Sequence, residues 1–269
     1  MAPDREPDEP MQVMSLLESP TGHLSNLSTS AEPESSDGES TFRVPLFPSA
    51  SDAQGREGFV RIVNRGSYTA TVRVSARDDS GWSYDPITLS LDAGRAVQLN
   101  SHDLESGNPR KGLPDGMGPG EGNWRLELTT AQDIHVGAYI RTHDGLHDVV
   151  PPVGDDYFVP MFNPAHNTRQ VSLLRLINPH SRGARVRIRA TDDWGARRGD
   201  TVELRVPANS ARTVSAQALE QGLDGLTGRT GRGYGKWRLT VSSSRSIQVM
   251  NLLESPTGHL TNLSTRPGR

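Results

Sequence analysis

The chain has 269 residues, a length typical of about two domains that each bury a core of their own. Only 33% of the residues are hydrophobic, whereas 27 are Gly and 19 are Pro, which favours a loop-rich β protein over a helical bundle. Cysteine is absent, so disulfides, thiolate zinc sites and cysteine nucleophiles are excluded. No run of about 18 apolar residues occurs, and residues 1–10 are acidic and proline-rich, so we predict neither a membrane span nor a secretion signal.

Charge is unevenly distributed along the chain. Residues 1–157 carry 12 basic and 25 acidic side chains, whereas residues 158–269 carry 17 and 7. Opposite charges on successive modules could favour head-to-tail association or attract a polyanion to the second half. The simpler interpretation is a solvated surface whose composition changes along the chain, because exposed charges contribute little to stability.

Internal repetition gives the strongest signal in the sequence. Residues 58–64 align with residues 172–178 at a spacing of 114. The same spacing, within a residue or two, also pairs residues 44–48 with 159–163, 78–81 with 192–195, 104–107 with 219–222, and 124–126 with 237–239. We therefore predict two copies of one unit, which we call the first unit (residues 42–150) and the second unit (residues 157–265).

A third fragment of the repeat stands at the front of the chain. Residues 12–29 reproduce residues 248–265 with two changes, Ser15 for Asn251 and Ser25 for Thr261. We interpret residues 1–41 as a detached repeat-end hairpin (11–29) followed by a flexible acidic linker (30–41) that is disordered or extended. Because incomplete sandwiches have open edges, we predict that this hairpin completes the first unit or a neighbouring copy by strand exchange. The alternative is that Met1 lies at a boundary inside a longer array.

Short alternating segments within each unit predict strands separated by turns. In the first unit they are residues 59–64, 70–77, 87–91, 96–100, 124–128 and 134–142. Residues 101–105 and 215–220 begin with serine and precede Gly107 and Gly222, so each predicts one or two helical turns. The predicted fold is all-β, with two tandem immunoglobulin-like β-sandwich repeats that each contain one short helical turn.

The end of each copy carries a distinctive segment, residues 255–264, which reads SPTGHLTNLS. In this respect the chain resembles tandem β-sandwich repeats of large secreted or surface-associated bacterial proteins, over residues 11–265. The resemblance implies no established activity. In that pattern the first unit would end in a longer closing hairpin than residues 141–148 provide, so its last strand is not predicted with the others.

Two pairs of acidic residues are candidate ligand-binding groups. Asp78 and Asp79, and likewise Asp192 and Asp193, are each followed by one residue and Gly. Their carboxylates could contribute to a calcium site, but calcium prefers six to eight oxygen ligands. Asp before Gly is also typical of tight turns, because its side chain accepts local backbone hydrogen bonds. We favour the turn and predict no metal site, with calcium as the weaker alternative.

Glycine-rich loops and histidines offer little evidence of chemistry. Residues 112–123 and 225–236 contain alternating glycines, but each loop leads into a strand, whereas a nucleotide cradle opens a helix. His23 and His259 lie in predicted hairpin turns without an accompanying nucleophile or orienting acid. We therefore predict no catalytic residues and no cofactor.

The four tryptophans fall into two kinds. Trp124 and Trp237 each begin an alternating strand and are predicted to anchor the two cores, since an indole buries a large area and can satisfy its N–H at the rim. Trp82 and Trp194 lie beside the Asp-Asp turns. Exposed tryptophan near carboxylates is typical of sugar-binding surfaces, although a single ring can also cover the end of a sandwich.

Three arginines form a candidate basic face. Arg185, Arg187 and Arg189 alternate with Val186 and Ile188, so all three point to one side of a strand. This face could bind a polyanion or a partner such as the acidic first unit. It lacks the interleaved aromatic residues of a nucleic-acid platform, so a solvated face is the favoured interpretation.

Two functional hypotheses follow. The first is a non-catalytic extracellular structural or adhesive repeat module that self-associates through strand donation by residues 11–29. The second is a carbohydrate-binding accessory module of a secreted bacterial protein. Expected partners are other copies, neighbouring repeats or, in the second hypothesis, glycan; we predict no enzyme activity, no nucleic-acid binding and no membrane insertion. The expected location is extracellular or at the cell surface, although the chain has no signal peptide.

Overall fold

The structure is a computed structural model that describes residues 16–18, 24–26, 33–142, 145–148, 153–197 and 199–264. It confirms the predicted all-β class, with several antiparallel sheets and only short helices. The strands are β1 (Leu16–Glu18), β2 (Leu24–Asn26), β3 (Glu34–Ser36), β4 (Glu39–Phe47), β5 (Glu57–Asn64), β6 (Ala70–Arg77), β7 (Ile87–Leu91), β8 (Ala96–Asn100), β9 (Trp124–Thr130), β10 (Ile134–Thr142), β11 (Gly145–Asp148), β12 (Val153–Phe162), β13 (Val171–Ile177), β14 (Ala184–Asp192), β15 (Val202–Val206), β16 (Ala211–Ser215), β17 (Trp237–Glu254) and β18 (Leu260–Asn262). The helices are α1 (Ser101–Ser106) and α2 (Ala216–Gln221), with a 3₁₀ turn at Pro109–Lys111.

The first unit consists of two sheets packed face to face. One has the strand order β3-β4-β9-β6-β7 and the other β11-β10-β5-β8. Alternate residues of both sheets are buried in one cluster, which includes Val72 and Leu126 from the first sheet and Ile62 and Val136 from the second. This arrangement is consistent with a β-sandwich, in which each sheet buries one face against the other.

The second unit repeats this strand order around one long strand. Residues 237–243 of β17 pair with β12 and β14, and residues 248–254 pair with β13 and β18. The start of β12 also pairs with residues 247–248 of β17. The order β15-β14-β17-β12 therefore matches β7-β6-β9-β4 of the first unit, and β16-β13-β17-β18 matches β8-β5-β10-β11. The difference is that β17 is continuous where the first unit has two separate strands, β9 and β10.

Most predicted elements form where the alternation places them, with small differences at their ends. Strands β6, β7, β8 and β10 have the predicted bounds, and β5 and β9 are each two residues longer. Ser215 caps α2, because its hydroxyl accepts the Ala218 N–H at 3.1 Å. In α1 the cap is Asn100, not the predicted Ser101. The Ser101 hydroxyl is buried and donates to the Pro48 carbonyl at 2.7 Å.

The second part of the acidic linker is extended. Over residues 34–41 it contributes β3 and the start of β4, which form an antiparallel hairpin. Asp37 and Gly38 connect them with φ of 52° and 82°. Asp-Gly with both residues at positive φ suits a tight two-residue hairpin, and this local signal outweighs the disorder-prone composition.

The front hairpin and the closing hairpin of the first unit have defined pairings. β1 and β2 pair only with each other in the described residues, with Leu17 opposite Ser25, and β2 lies beside β11. The other residues of the 11–29 segment lie outside the described residues. The abbreviated closing hairpin does form a last strand, β11, which pairs with β10 so that Asp148 is opposite Tyr139.

Each core is anchored by a tryptophan, as the sequence predicts. Trp124 and Trp237 are buried, and their indole N–H groups donate to Glu105 at 2.8 Å and Glu220 at 3.0 Å. The Glu220 carboxylate also accepts the Ala165 N–H at 3.0 Å. In the first unit, Glu105 likewise accepts the Ala50 N–H at 2.8 Å. In each unit, one glutamate from the helical segment therefore accepts hydrogen bonds from both the indole and a loop N–H.

The glycine-rich loops lie directly over these indoles. A Cβ at Gly120 would approach Trp124 Cζ2 to 2.6 Å, and a Cβ at Gly233 would approach Trp237 Cη2 to 2.4 Å. Both contacts are too short for any side chain. The glycines therefore serve close packing on the core, and both loops lead into strands as predicted.

We predict that Glu220→Ala lowers the free energy of unfolding by about 2 kcal/mol, because it leaves the buried Trp237 indole N–H and the partly buried Ala165 N–H without their acceptor. Denaturant unfolding followed by tryptophan fluorescence measures the change. Glu121→Ala is the control, since its exposed side chain has no such role and surface changes usually stay within about 0.5 kcal/mol. Equal effects of the two substitutions would contradict the assigned role of Glu220.

Candidate functional site

The first acid of each Asp-Asp pair closes a turn. Asp78 is buried, and its Oδ1 accepts the N–H groups of Gly81 and Trp82, both at 3.0 Å. Its Oδ2 accepts the Glu121 N–H at 3.1 Å and the Tyr84 hydroxyl at 3.2 Å. The carboxylate therefore ties the turn after β6 to the loop before β9.

These bonds determine the ionisation of Asp78. Burial by itself would raise the pKa of this carboxyl, but the Ser80 hydroxyl, the N–H groups of Glu121 and Trp82, and the Tyr84 hydroxyl together hold the pKa below its usual value. Asp78 is consequently ionised at neutral pH, where a carboxylate accepts hydrogen bonds most strongly.

Asp192 has the same role in the second unit. It is buried and accepts the N–H groups of Trp194 at 3.1 Å, Ala196 at 3.0 Å and Tyr234 at 3.2 Å. The donors point at the oxygens that calcium would need, which favours the turn over the metal. Among the described residues, no three His, Asp or Glu side chains are grouped so that they could hold a metal ion.

The second acid of the first pair joins the two units. The Arg175 guanidinium, on β13, contacts Asp79 through two bonds, Nη2 to Oδ1 at 2.6 Å and Nη1 to Oδ2 at 3.2 Å. The Arg175 side chain is 1% exposed and that of Asp79 is 23% exposed. This two-bond geometry is the strong form of an arginine–carboxylate pair. The sequence identifies Asp79 as a candidate but gives no sign that Arg175 is its partner.

Backbone groups extend the contact around this ion pair. The Ala211 N–H, at the start of β16, donates to the Asp79 carbonyl at 3.1 Å. Arg125 donates to the Asp78 carbonyl at 2.7 Å and also to the Asn209 carbonyl of the second unit. The turn after β6 is therefore held by a strand and a turn of the other unit at once.

A second ion-pair group and apolar packing complete the junction. Arg56 pairs with Asp52 at 2.8 Å within the first unit and with Glu254 at 3.2 Å in the second. Five buried hydrophobic residues of the second unit belong to the buried cluster of the first unit: Ile177, Ala211, Met250, Leu252 and Leu260. The two units thus share part of one core.

A cleft of about 300 Å³ opens at this junction. Its lining includes Arg43, Arg73, Arg77 and Arg125 of the first unit and Gln248 of the second. Burial, together with the nearby charge of Arg175, lowers the pKa of Arg125 to about 10, so Arg125 is still protonated at neutral pH. Sequence reasoning does not find this basic cleft, because its residues come from strands far apart in the chain.

The exposed tryptophans differ between the units. The side chains of Trp82 and Trp194 are strongly exposed, at 68% and 69% of each residue's surface. Trp194 stacks on Tyr234, with ring centroids 4.0 Å apart and planes inclined by 31°. Glu121 takes the position of Tyr234 in the first unit, because each donates its backbone N–H to the turn aspartate. Within the described ranges, this stacked pair of exposed rings therefore occurs in the second unit and not in the first.

The three arginines of the candidate basic face lie on β14, which ends at Asp192. Arg185, Arg187 and Arg189 are all exposed, in the alternation that the sequence predicts. Arg187 pairs with Glu203 of the neighbouring strand β15 at 2.9 Å. Part of the positive charge of this face is thus neutralised on the same sheet.

His259 lies in the turn between β17 and β18, as predicted. Its carbonyl accepts the Ser255 N–H at 2.8 Å, and Gly258 has a φ of 81°. His23 lies outside the described residues. The hairpin that carries the distinctive repeat ending therefore has an ordinary turn geometry, in which Gly supplies the positive φ.

The chain matches no known protein family and no curated protein. Among solved structures, it is similar to a β-glucuronidase from glycoside hydrolase family 2, with 9% sequence identity and a TM-score of 0.17. The similarity covers 90% of this chain and 27% of the β-glucuronidase chain. A TM-score this low supports no argument about function.

In the part of the chain that the structure describes, neither helix has the length or the apolar character needed to cross a membrane.

We predict that Asp79→Ala lowers the free energy of unfolding by about 3 kcal/mol, because it leaves the buried Arg175 guanidinium without its counter-charge. Asp193→Ala is the matched control, since Asp193 occupies the same place in the repeat and is exposed. It should cost less than about 1 kcal/mol. Denaturant unfolding measures both, and equal costs would contradict the role of Asp79 at the junction.

A second prediction concerns acid stability. Because the folded-state pKa of Asp78 lies below its unfolded value near 3.8, its ionised form stabilises the fold above that pH, and the contribution is lost as the pH falls through the folded pKa. Asp78→Asn should therefore be less stable at pH 7 and lose less stability between about pH 5 and pH 2. Unfolding free energies measured across this range, with Asp115→Asn as an exposed control, test it. An unchanged pH slope in Asp78→Asn would contradict it.

Proposed function

We propose that this chain is a non-catalytic structural or adhesive repeat module of an extracellular or cell-surface bacterial protein, in which two immunoglobulin-like sandwiches are held in tandem. The observation that carries the proposal is the buried Arg175–Asp79 pair, which ties the units together with hydrogen bonds on both sides. A pair of this kind favours one defined arrangement of its two elements, because any other leaves a buried charge uncompensated.

The repeated polar residues support a structural role over a catalytic one. A general acid or base works best with a pKa near the operating pH, whereas the pKa of Asp78 lies below its ordinary value. Glu105 and Glu220 are engaged by the core tryptophans. These groups therefore have structural partners in both copies, which is what a repeated building block requires.

Distance measurements between the units test the proposal. The chain has no cysteine, so spin labels can be placed selectively at Thr71→Cys on β6 and Thr240→Cys on β17, both exposed positions. We expect one narrow distance distribution, and a broader one when Asp79→Ala is added. The exposed change Asp193→Ala should leave it narrow. A broad distribution in the otherwise native chain would overturn the proposal of a fixed tandem.

The extracellular or surface location rests on the resemblance of residues 255–264 to repeat endings of secreted and surface bacterial proteins. Labelling of intact source cells with an antibody against the second unit tests it. Staining without permeabilisation supports the location, and staining only after permeabilisation contradicts it.

Strand donation by residues 11–29 stays a prediction. It is motivated by the copy of the repeat ending at the front of the chain and by the position of β2 beside β11. Because β3 belongs to a sheet of the first unit, a truncation that tests donation should remove residues 1–32 and leave β3 intact.

Carbohydrate binding is the second candidate, and the stacked Trp194–Tyr234 pair favours it. Two exposed rings side by side form an apolar platform of the kind on which a sugar ring packs. We expect a glycan array to give a signal that Trp194→Ala abolishes and that Trp82→Ala retains, since the first unit has Glu121 in place of the second ring. Blank arrays with folded protein would remove this candidate.

A further inference from the structure

The junction between the two units is built from two halves, and each half occurs twice in the chain. One half is the turn that carries Asp79, which recurs in the second unit with Asp193. The other half is the sheet face that carries Arg175, which recurs in the first unit with Arg61. The internal junction uses one copy of each half. The other copies, the second unit's turn and the first unit's sheet face, take no part in it.

The Asp193 turn has the geometry of its used counterpart. Asp193 Oδ2 accepts the Lys236 N–H at 2.8 Å, as Asp79 Oδ2 accepts the Asn123 N–H at 3.1 Å. Equivalent loops of the two units therefore orient the two carboxylates. Asp193 is exposed, and no ion pair joins it to another described residue.

The arginine beside this turn also repeats. Arg238 donates to the Asp192 carbonyl at 3.2 Å, as Arg125 donates to the Asp78 carbonyl. Arg125 additionally reaches the carbonyl of Asn209 across the junction. Arg238 is exposed, so the N–H group that corresponds to the one binding Asn209 faces solvent.

The Arg61 face is the counterpart of the face that receives Asp79. Arg61 is opposite Gln98 and Gly137 in its sheet, and Arg175 is opposite Thr213 and Met250 at the same place in the other sheet. Arg61 is exposed, whereas Arg175 is 1% exposed. No ion pair is formed by Arg61 within the described ranges.

A backbone donor accompanies Arg61, as it does Arg175. Ala96 begins β8 opposite Val63, as Ala211 begins β16 opposite Ile177. The Asn64 N–H donates to the Arg95 carbonyl at 2.9 Å, so the N–H of the next residue, Ala96, points away from β5 in an antiparallel ladder. At Ala211 this outward N–H binds the Asp79 carbonyl, and β8 is likewise an edge strand.

Some of the other contacts of the internal junction have counterparts at the exposed turn and the exposed sheet face. Val63 and Tyr139, half-buried in the first unit, stand where Ile177 and Leu252 pack at the junction. Lys236 replaces Asn123, which adds a positive charge near the carboxylate. The Arg56–Glu254 pair has no equivalent, because Gln170 and Arg141 occupy the corresponding positions. Docking between chains should therefore be weaker than the internal junction, which also gains from its covalent connection.

We propose that two copies of this chain dock head to tail, with Asp193 of one copy on Arg61 of the next, in the manner of Asp79 on Arg175. The contact is heterologous, so each added copy presents a new Asp193 turn and the assembly grows as an open chain of copies. This inference deepens the proposed structural role and rests on the two units being copies of one building block.

Reversal of the two charges tests the docking. We expect sedimentation velocity at low salt to show concentration-dependent association of the native chain, and Arg61→Asp or Asp193→Arg alone to raise the dissociation constant at least about tenfold. A mixture of the two variants should associate again, because the introduced arginine of one variant can meet the introduced aspartate of the other. The internal Asp79–Arg175 pair is untouched in both, so both should fold.

The controls are Arg110→Asp and Asp115→Arg, which make the same charge changes at exposed positions outside the two halves. A native chain that stays monomeric at several hundred micromolar would overturn the docking. Association that persists in Arg61→Asp would also overturn the docking. If this association is lost when residues 1–32 are removed, strand donation is its cause. A narrow distance distribution between the spin labels with no association leaves the proposed function standing and removes only this inference.

Discussion

A buried guanidinium is the constraint on which the arrangement of the two units depends. Arg175 is 1% exposed, and an ion of this kind withdrawn from water costs several kcal/mol unless a counter-charge accompanies it. Asp79 supplies that charge from the other unit. Separation of the units would leave the Arg175–Asp79 pair broken and would also open the shared apolar contacts of Ile177 and Leu252. The pair therefore specifies how the units meet, more than it adds net stability.

The Asp-Asp sequence divides two tasks between adjacent side chains. The first acid points inward and closes the turn with N–H donors, as Asp78 and Asp192 do. Its partner then faces outward in a fixed orientation, because a loop N–H also holds it. A carboxylate that is already oriented loses less side-chain freedom on binding, so the turn is prepared for a guanidinium. This explains why the second acid occurs in both copies although, among the described residues, Asp79 pairs with an arginine and Asp193 does not.

The sequence predicts the strands well, because alternation reports directly on which face is buried. It also predicts Trp124 and Trp237 as core anchors. It does not predict their glutamate partners, since the bonds from Trp124 to Glu105 and from Trp237 to Glu220 connect residues in different elements. Arg61 and Arg175 look alike in the sequence, and only the packing of the first unit against β13 makes one buried and the other exposed. The hairpin at Asp37 was signalled by Asp-Gly, but the acidic composition around it favoured a linker.

The uneven charge of the chain takes on a meaning at the proposed head-to-tail contact. Residues 158–269 carry 17 basic and 7 acidic side chains, and residues 1–157 carry 12 and 25, so unlike halves of two copies attract each other. Such long-range attraction orients the approach but falls off within about 10 Å at 0.1 M salt.

Register depends on the short contacts, in which an acidic turn on the basic half meets a basic side chain on the acidic half. At the contact, each charged side chain therefore has the sign opposite to the net charge of the half that carries it. Added salt screens the long-range attraction between the bodies first, whereas a pair that becomes buried, as Arg175 is, is screened much less. Association of copies should therefore slow with salt before the contact itself weakens.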